Sequence, residues 1–125
     1  MNQEQLTMTQ ASHAEHWTAV CALNDILPNA GVCAWLDGEQ VAVFRVSAAA
    51  GESEAVYAIG NYDPNANAAV LSRGLVGNLG ARLVVASPMY KHHFDLRTGE
   101  CVEVPEHSVR TFATRVADGR VWVAS

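Results

Sequence analysis

The chain has 125 residues, of which 50% are hydrophobic, and a formal net charge of −5. That length suits one domain with an apolar core and leaves little room for a second. The 8 Lys and Arg residues form no cluster, which disfavours a nucleic-acid surface. The longest uncharged apolar stretch, residues 26–36, carries Pro28, Asn29 and Gly31 and falls well short of the ~20 residues that span a bilayer.

Residues 1–15 are polar and lack an apolar period, so a flexible surface tail is expected there, followed by one domain over residues 16–125. Nothing in that stretch resembles the apolar core of a signal peptide, which points to a soluble cytoplasmic protein. Residues 17–23 favour a strand and end at a turn or single helical turn stopped by Pro28. Residues 32–36 and 40–46 flank Asp37-Gly38, a strong hairpin signal. The second of these strands is apolar at both alternating sets of positions, as a central strand would be. Residues 48–54 read as a small polar loop, and residues 56–59 as another strand. Residues 66–71 are expected to form a short helix, followed by a glycine-rich return through Gly74, Gly77 and Gly80. Residues 83–86 form a strand, residues 94–100 a small hairpin, and residues 110–124 a second hairpin turning at Asp118-Gly119. Many short strands with Asp-Gly and Gly/Pro punctuation predict an all-β antiparallel sandwich or open barrel.

The three cysteines, Cys21, Cys33 and Cys101, have no metal-binding spacing. Cys21 and Cys33 lie in apolar runs, so they are read as small core residues rather than as a disulfide framework or a zinc site. Reduced thiols agree with a cytosolic setting. His13 and His16 are spaced three apart but have no further ligand nearby, and His107 has no supporting constellation. No Gly-rich phosphate loop and no nucleophile–base pair is evident, so no catalytic residue and no metal ligand is assigned.

Residues 87–100, Ser-Pro-Met-Tyr-Lys-His-His-Phe-Asp-Leu-Arg-Thr-Gly-Glu, are similar to the second cluster loop of a Rieske iron–sulfur domain, Cys-Pro-x-His-x-x-x-Phe-Asp-x-x-Thr-Gly. Gly60-Asn61-Tyr62-Asp63-Pro64 resembles the first loop, Cys-x-His. The resemblance runs over residues 16–124 and implies a Rieske-like [2Fe–2S] ferredoxin fold, an antiparallel β-sandwich with two adjacent loops at one end. A Rieske centre takes two Cys thiolates and two His imidazoles. The matching positions here are Asn61, Asp63, Ser87 and Tyr90, so all four ligands are replaced. Hard oxygen donors and an amide are poor substitutes for thiolate and imidazole, and loss of the cluster follows. His92 and His93 are adjacent, so in an extended loop they point to opposite sides and cannot easily face one iron. A weak mononuclear site near Asp63 and His92 or His93 remains open at this level.

Among Rieske-like domains, the ligand-free pattern resembles the small subunit of bacterial NADH-dependent nitrite reductase. Val70-Leu71-Ser72-Arg73-Gly74-Leu75 and Ala86-Ser87-Pro88 carry that likeness most distinctively. The resemblance implies an accessory subunit that binds a large subunit carrying FAD, siroheme and an iron–sulfur cluster, which reduces nitrite to ammonium. Tyr62, Pro64, Pro88, Met89 and Tyr90 would either fill the cluster space or form a docking patch. Arg73, Lys91, His92 and His93 would rim that patch with positive charge. The rival readings are an electron-transfer ferredoxin with unusual ligation and a free-standing interaction module.

Overall fold

In the computed structural model residues 16–47 and 54–125 are described. The expected tail over residues 1–15, with His13, and nearly all of the loop over residues 48–54 lie outside them. β1 (Trp17–Ala22) passes through a single 3₁₀ turn, Leu23–Asp25, into β2 (Ala30–Leu36) and β3 (Glu39–Val46). The β2–β3 hairpin turns at Asp37 and Gly38, both with positive φ (51° and 82°), the mirror-image geometry that suits the twist of paired strands. β4 (Ala55–Gly60) leads into a small ladder of β5 (Tyr62–Asp63) and β6 (Ala68–Ala69). After the 3₁₀ turn Leu71–Arg73 come β7 (Leu75–Leu79), β8 (Arg82–Ala86), β9 (His93–Asp95), β10 (Thr111–Phe112), β11 (Thr114–Ala117) and β12 (Arg120–Ala124).

All these pairings are antiparallel, in sheets ordered β1-β12-β11, β10-β4-β3-β2, β5-β6 and β7-β8-β9. The four-stranded sheet is the middle layer, because its two faces feed different cores. Val41, Val43, Val56 and Ala58 pack with Ile26, Phe112, Val121 and Val123 on one side. Ala42, Phe44 and Ile59 pack with Leu71, Val85, Phe94 and Leu96 on the other. Residues 41–44 are each fully buried, as period-two alternation requires of a central strand covered on both faces. Each fully buried Val or Phe adds about 1.5–3 kcal/mol of apolar burial. The fold is all-β and antiparallel, as expected from the sequence.

Three local expectations change. Residues 66–71 form no helix: Asn67 adopts φ 55°, and Ala68 pairs with Asp63. The glycine-rich return is itself a strand, β7, paired along its length with β8. The C-terminal hairpin is split, since β10 joins β4 in the middle sheet while β11 pairs with β12 in another. All three cysteines are free. Cys101 is buried and Cys21 partly so, but Cys33 is exposed: it shares a face with Ala42 of the second core but lies on edge strand β2, beyond the cover of that core.

Candidate functional site

The two loops leave strands of different sheets, the first from β4 at Gly60 and the second from β8 at Ala86. The 3₁₀ turn Leu71–Arg73 locks them side by side. The Leu71 amide donates to the Asn61 carbonyl at 3.0 Å, and the Ser72 amide donates to Asn61 Oδ1 at 2.7 Å. Gly74 lies so close to the Ala86 carbonyl that any Cβ there would collide with it. Asn65 extends the link. Its amide nitrogen donates to Asp63 Oδ1 at 3.2 Å and to Cys101 Sγ at 3.6 Å, and its oxygen accepts from His107 Nδ1 at 2.6 Å. With the Asn65 amide so oriented, His107 carries its proton on Nδ1. Cys101 bridges to Phe94, so the first loop is fastened to the strand that follows the second.

Of the four positions that resemble cluster-ligand positions, three make internal hydrogen bonds and one faces solvent. Asn61, Asp63 and Ser87 are buried, and buried polar groups are normally hydrogen-bonded. Asn61 Nδ2 donates to Gln40 Oε1 at 3.0 Å and to Cys33 Sγ at 3.6 Å. Asp63 Oδ1 accepts the Asn65 amide at 2.9 Å, closing an Asx turn. Ser87 Oγ accepts the Met89 amide at 3.3 Å. Tyr90 is 62% exposed. The donors are an amide and a carboxylate in the first loop and a hydroxyl and a solvent-facing phenol in the second. None is a thiolate or an imidazole, so these residues do not fit a [2Fe–2S] cluster.

Tyr62, Met89 and Tyr90 are exposed, as are Pro88, Arg73 and Lys91, while Pro64, His92 and His93 are half-buried. The aromatic and Met side chains therefore do not fill the space a cluster would occupy; the buried polar groups hold the loops instead. His93 is committed to Glu103, donating its backbone N–H at 2.8 Å and its Nδ1–H at 2.6 Å. Asp63 Oδ2 and His92 Nδ1 are buried without a partner among the described residues. No three His, Cys, Asp or Glu side chains among those residues gather to hold a metal ion. The roles of Gln40, Asn65 and His107 escaped the sequence reading, since each depends on a partner remote in the chain.

The Phe-Asp-x-x-Thr-Gly stretch is a structural knot. Burial opposes the Asp95 carboxylate, but the Arg97 and Thr98 amides and the Arg82 guanidinium outweigh it and hold its pKa below the ordinary range. Partial burial likewise opposes Glu103, and the hydrogen bonds from His93 outweigh it. A depressed carboxylate pKa contributes stability that is fully present above ~4 and is lost as pH falls through the folded value. Asp95→Asn is therefore expected to flatten the acid limb of the stability curve and to cost about 1–3 kcal/mol near neutrality. Urea midpoints measured between acid and neutral pH check both.

Residues 16–124 match the Rieske-like [2Fe–2S] domain family. The chain is 47% identical over 105 residues to the NADH nitrite reductase small subunit of Salmonella typhimurium, covering 84% of this chain and 94% of that protein. The solution structure of the NAD(P)H nitrite reductase small subunit from Erwinia carotovora superposes with a TM-score of 0.70 at 47% identity, covering 87% of this chain and 81% of that one. The NAD(P)H nitrite reductase large subunit of Klebsiella oxytoca contains a segment 39% identical over 109 residues, which is 87% of this chain but 11% of that protein. Together with the ligand-free loops, these similarities show that the chain belongs to the Rieske-like domain family and, within it, to the NADH nitrite reductase small subunits.

Proposed function

We propose that this chain is a cluster-free accessory subunit that docks on the large subunit of a cytoplasmic NADH-dependent nitrite reductase. The large subunit would carry FAD, siroheme and an iron–sulfur cluster and reduce nitrite to ammonium; this chain would contribute no catalytic residue. The observation that carries the reading is the Klebsiella oxytoca match. A domain that forms a small subunit by itself in the Salmonella typhimurium relative is part of a large subunit in Klebsiella oxytoca, which argues that the two associate when encoded apart. The ligand positions agree, because a retained fold that offers no thiolate or imidazole there, and in which Asn61, Asp63 and Ser87 hold the loops by hydrogen bonds, serves binding rather than electron transfer. The three free cysteines suit a reducing compartment, and no helix among the described residues is long and apolar enough to cross a membrane.

On this reading the loop tip is a docking patch, with Tyr62, Met89 and Tyr90 as apolar anchors. Arg73, Lys91, His92 and His93 form its polar rim. The test is co-purification of the tagged chain from nitrite-grown cells. The expected result is a large partner with flavin and siroheme absorption and NADH-dependent nitrite consumption, while the chain purified alone is colourless with substoichiometric iron. Stoichiometric iron and sulfide in the chain alone would instead make it a ferredoxin with unusual ligation.

A further inference from the structure

A groove of about 360 Å³ opens beside the first loop, lined by Trp35, Gln40, Asn61, Tyr62, Val109 and Arg110. It crosses one end of the middle sheet. In the order β10-β4-β3-β2, Arg110 precedes β10, Gly60 ends β4, Gln40 begins β3 and Trp35 lies near the end of β2. Three interstrand steps of ~4.8 Å make the crossing about 14 Å long, the length of about four extended residues. The β5–β6 ladder, through Tyr62 and Ala69, lines the groove beside the sheet end.

Several features mark this as a seat for a protein segment. Trp35 is 65% exposed and Tyr62 48%, although Trp35 is flanked in β2 by the buried Ala34 and Leu36. Trp, Tyr and Arg are the residues most enriched among energetic anchors of interfaces, and all three converge here. The Gln40 oxygen is held by Asn61 Nδ2 at 3.0 Å and by the Cys33 thiol at 3.4 Å, which turns the Gln40 amide into a fixed group on the groove floor. At the far end Arg110 and Glu39 pair at 3.4 Å across Gly60, the residue without a side chain on the strand between them. Both partners are about half exposed, so the pair is weak and is readily exchanged for groups of an incoming chain.

We infer that this groove receives an extended segment of the large subunit. The segment places an apolar side chain between Trp35 and Tyr62 and a carbonyl or carboxylate against Arg110. This rests on the accessory-subunit reading above and deepens it. It moves the centre of docking from the second loop to the first, with Tyr62 shared between groove and loop tip. The aromatic pair supplies apolar contact area at low conformational cost, and the Arg110 end sets the direction of the bound segment.

The test measures affinity between the full-length chain and its purified large subunit. Trp35→Ala and Tyr62→Ala are each expected to weaken binding about tenfold or more, because truncating a central aromatic anchor removes most of its contact. Leu27→Ser is the control. Leu27 is more exposed than Trp35 but lies at the opposite end of the β2–β3 hairpin, where Asn29 donates to the Arg45 carbonyl; binding should be unchanged. A photo-crosslinking side chain at position 35 should label the large subunit within one short segment. Wild-type affinity in both aromatic variants would overturn the inference while leaving the accessory-subunit reading intact. Failure of the wild-type chain to bind the large subunit would overturn that reading itself. Sedimentation showing that the chain self-associates, and that Trp35→Ala abolishes this, would assign the groove to a second copy and overturn the inference.

Discussion

Gly99→Ala is expected to lower the unfolding free energy by about 3–5 kcal/mol, a large share of the 5–15 kcal/mol that ordinary domains possess. Two costs combine at this position. Gly99 has φ +80°, where a side chain costs about 1–2 kcal/mol. A Cβ there would also collide with the Val109 carbonyl and crowd Thr111. Neither Gly99 nor Val109 can withdraw, because the Val109 amide donates to the Gly99 carbonyl at 2.9 Å and the Gly99 amide donates to the Asp95 carbonyl at 2.7 Å. Gly38 and Gly119 separate the two costs. Both have positive φ, 82° and 73°, but a Cβ at either meets nothing within 4 Å. Their alanine variants should lose only about 1 kcal/mol. Urea denaturation should show all three variants with the wild-type slope, and the midpoint displaced far more for Gly99→Ala than for the others. Equal displacement would mean that the backbone conformation, not the contact with Val109, requires glycine. Because Val109 also lines the groove, Gly99→Ala should weaken docking as well.

How much of this was legible in the sequence follows from how local each signal is. Asp37-Gly38 announced its hairpin because a two-residue turn with both φ positive is encoded by those two residues alone. The double-sided burial of β3 was readable from six consecutive residues. β7 was not, because Gly74, Gly77 and Gly80 look like irregular chain. In the fold only two of the three answer a backbone demand, Gly74 through contact with the Ala86 carbonyl and Gly80 through φ +63°, and the strand runs between them. The misplaced helix over residues 66–71 failed for a similar reason: Ala-rich composition favours a helix, but Asn67 takes up a left-handed turn that joins β5 to β6. At the site, the replaced ligand positions could be found by spacing, whereas the partners that occupy their side chains could not. For Asn61 they are Gln40 and Ser72, 21 and 11 residues away, and His107 reaches the first loop only through Asn65, 42 residues from it. The groove is less legible still, since it exists only where the ends of four strands meet.

The other large effect is expected at Asn61, and it depends on pH in a way that tests what this position now does. Asn61 is 2% exposed. Its oxygen accepts the Ser72 amide at 2.7 Å, and its nitrogen donates to the Gln40 oxygen at 3.0 Å. Asn61→Ala strands a buried N–H and leaves a small void, for about 2–4 kcal/mol at any pH. Asn61→Asp keeps the shape and the acceptor for Ser72 but places an oxygen against the Gln40 oxygen. When protonated, that group can still donate to Gln40, so the variant should lie within about 1 kcal/mol of wild type under acid conditions. Once ionised it is a buried charge facing a lone pair, so its folded pKa is raised above the unfolded value near ~4. The folded state then binds more protons than the unfolded one, and stability must fall as pH rises, by ~1.4 kcal/mol per unit, until the folded pKa is passed. The deficit of Asn61→Asp should therefore widen between pH ~4 and ~7 while that of Asn61→Ala stays flat. A flat deficit for Asn61→Asp would mean that solvent reaches the position, and the account of a ligand site converted into a sealed hydrogen-bonded joint would fail. If the deficit widens, the residue that stands where a cluster thiolate would be has become the fastening between β3, the Leu71–Arg73 turn and the first loop. That fastening also forms part of the groove in which the large subunit is inferred to seat.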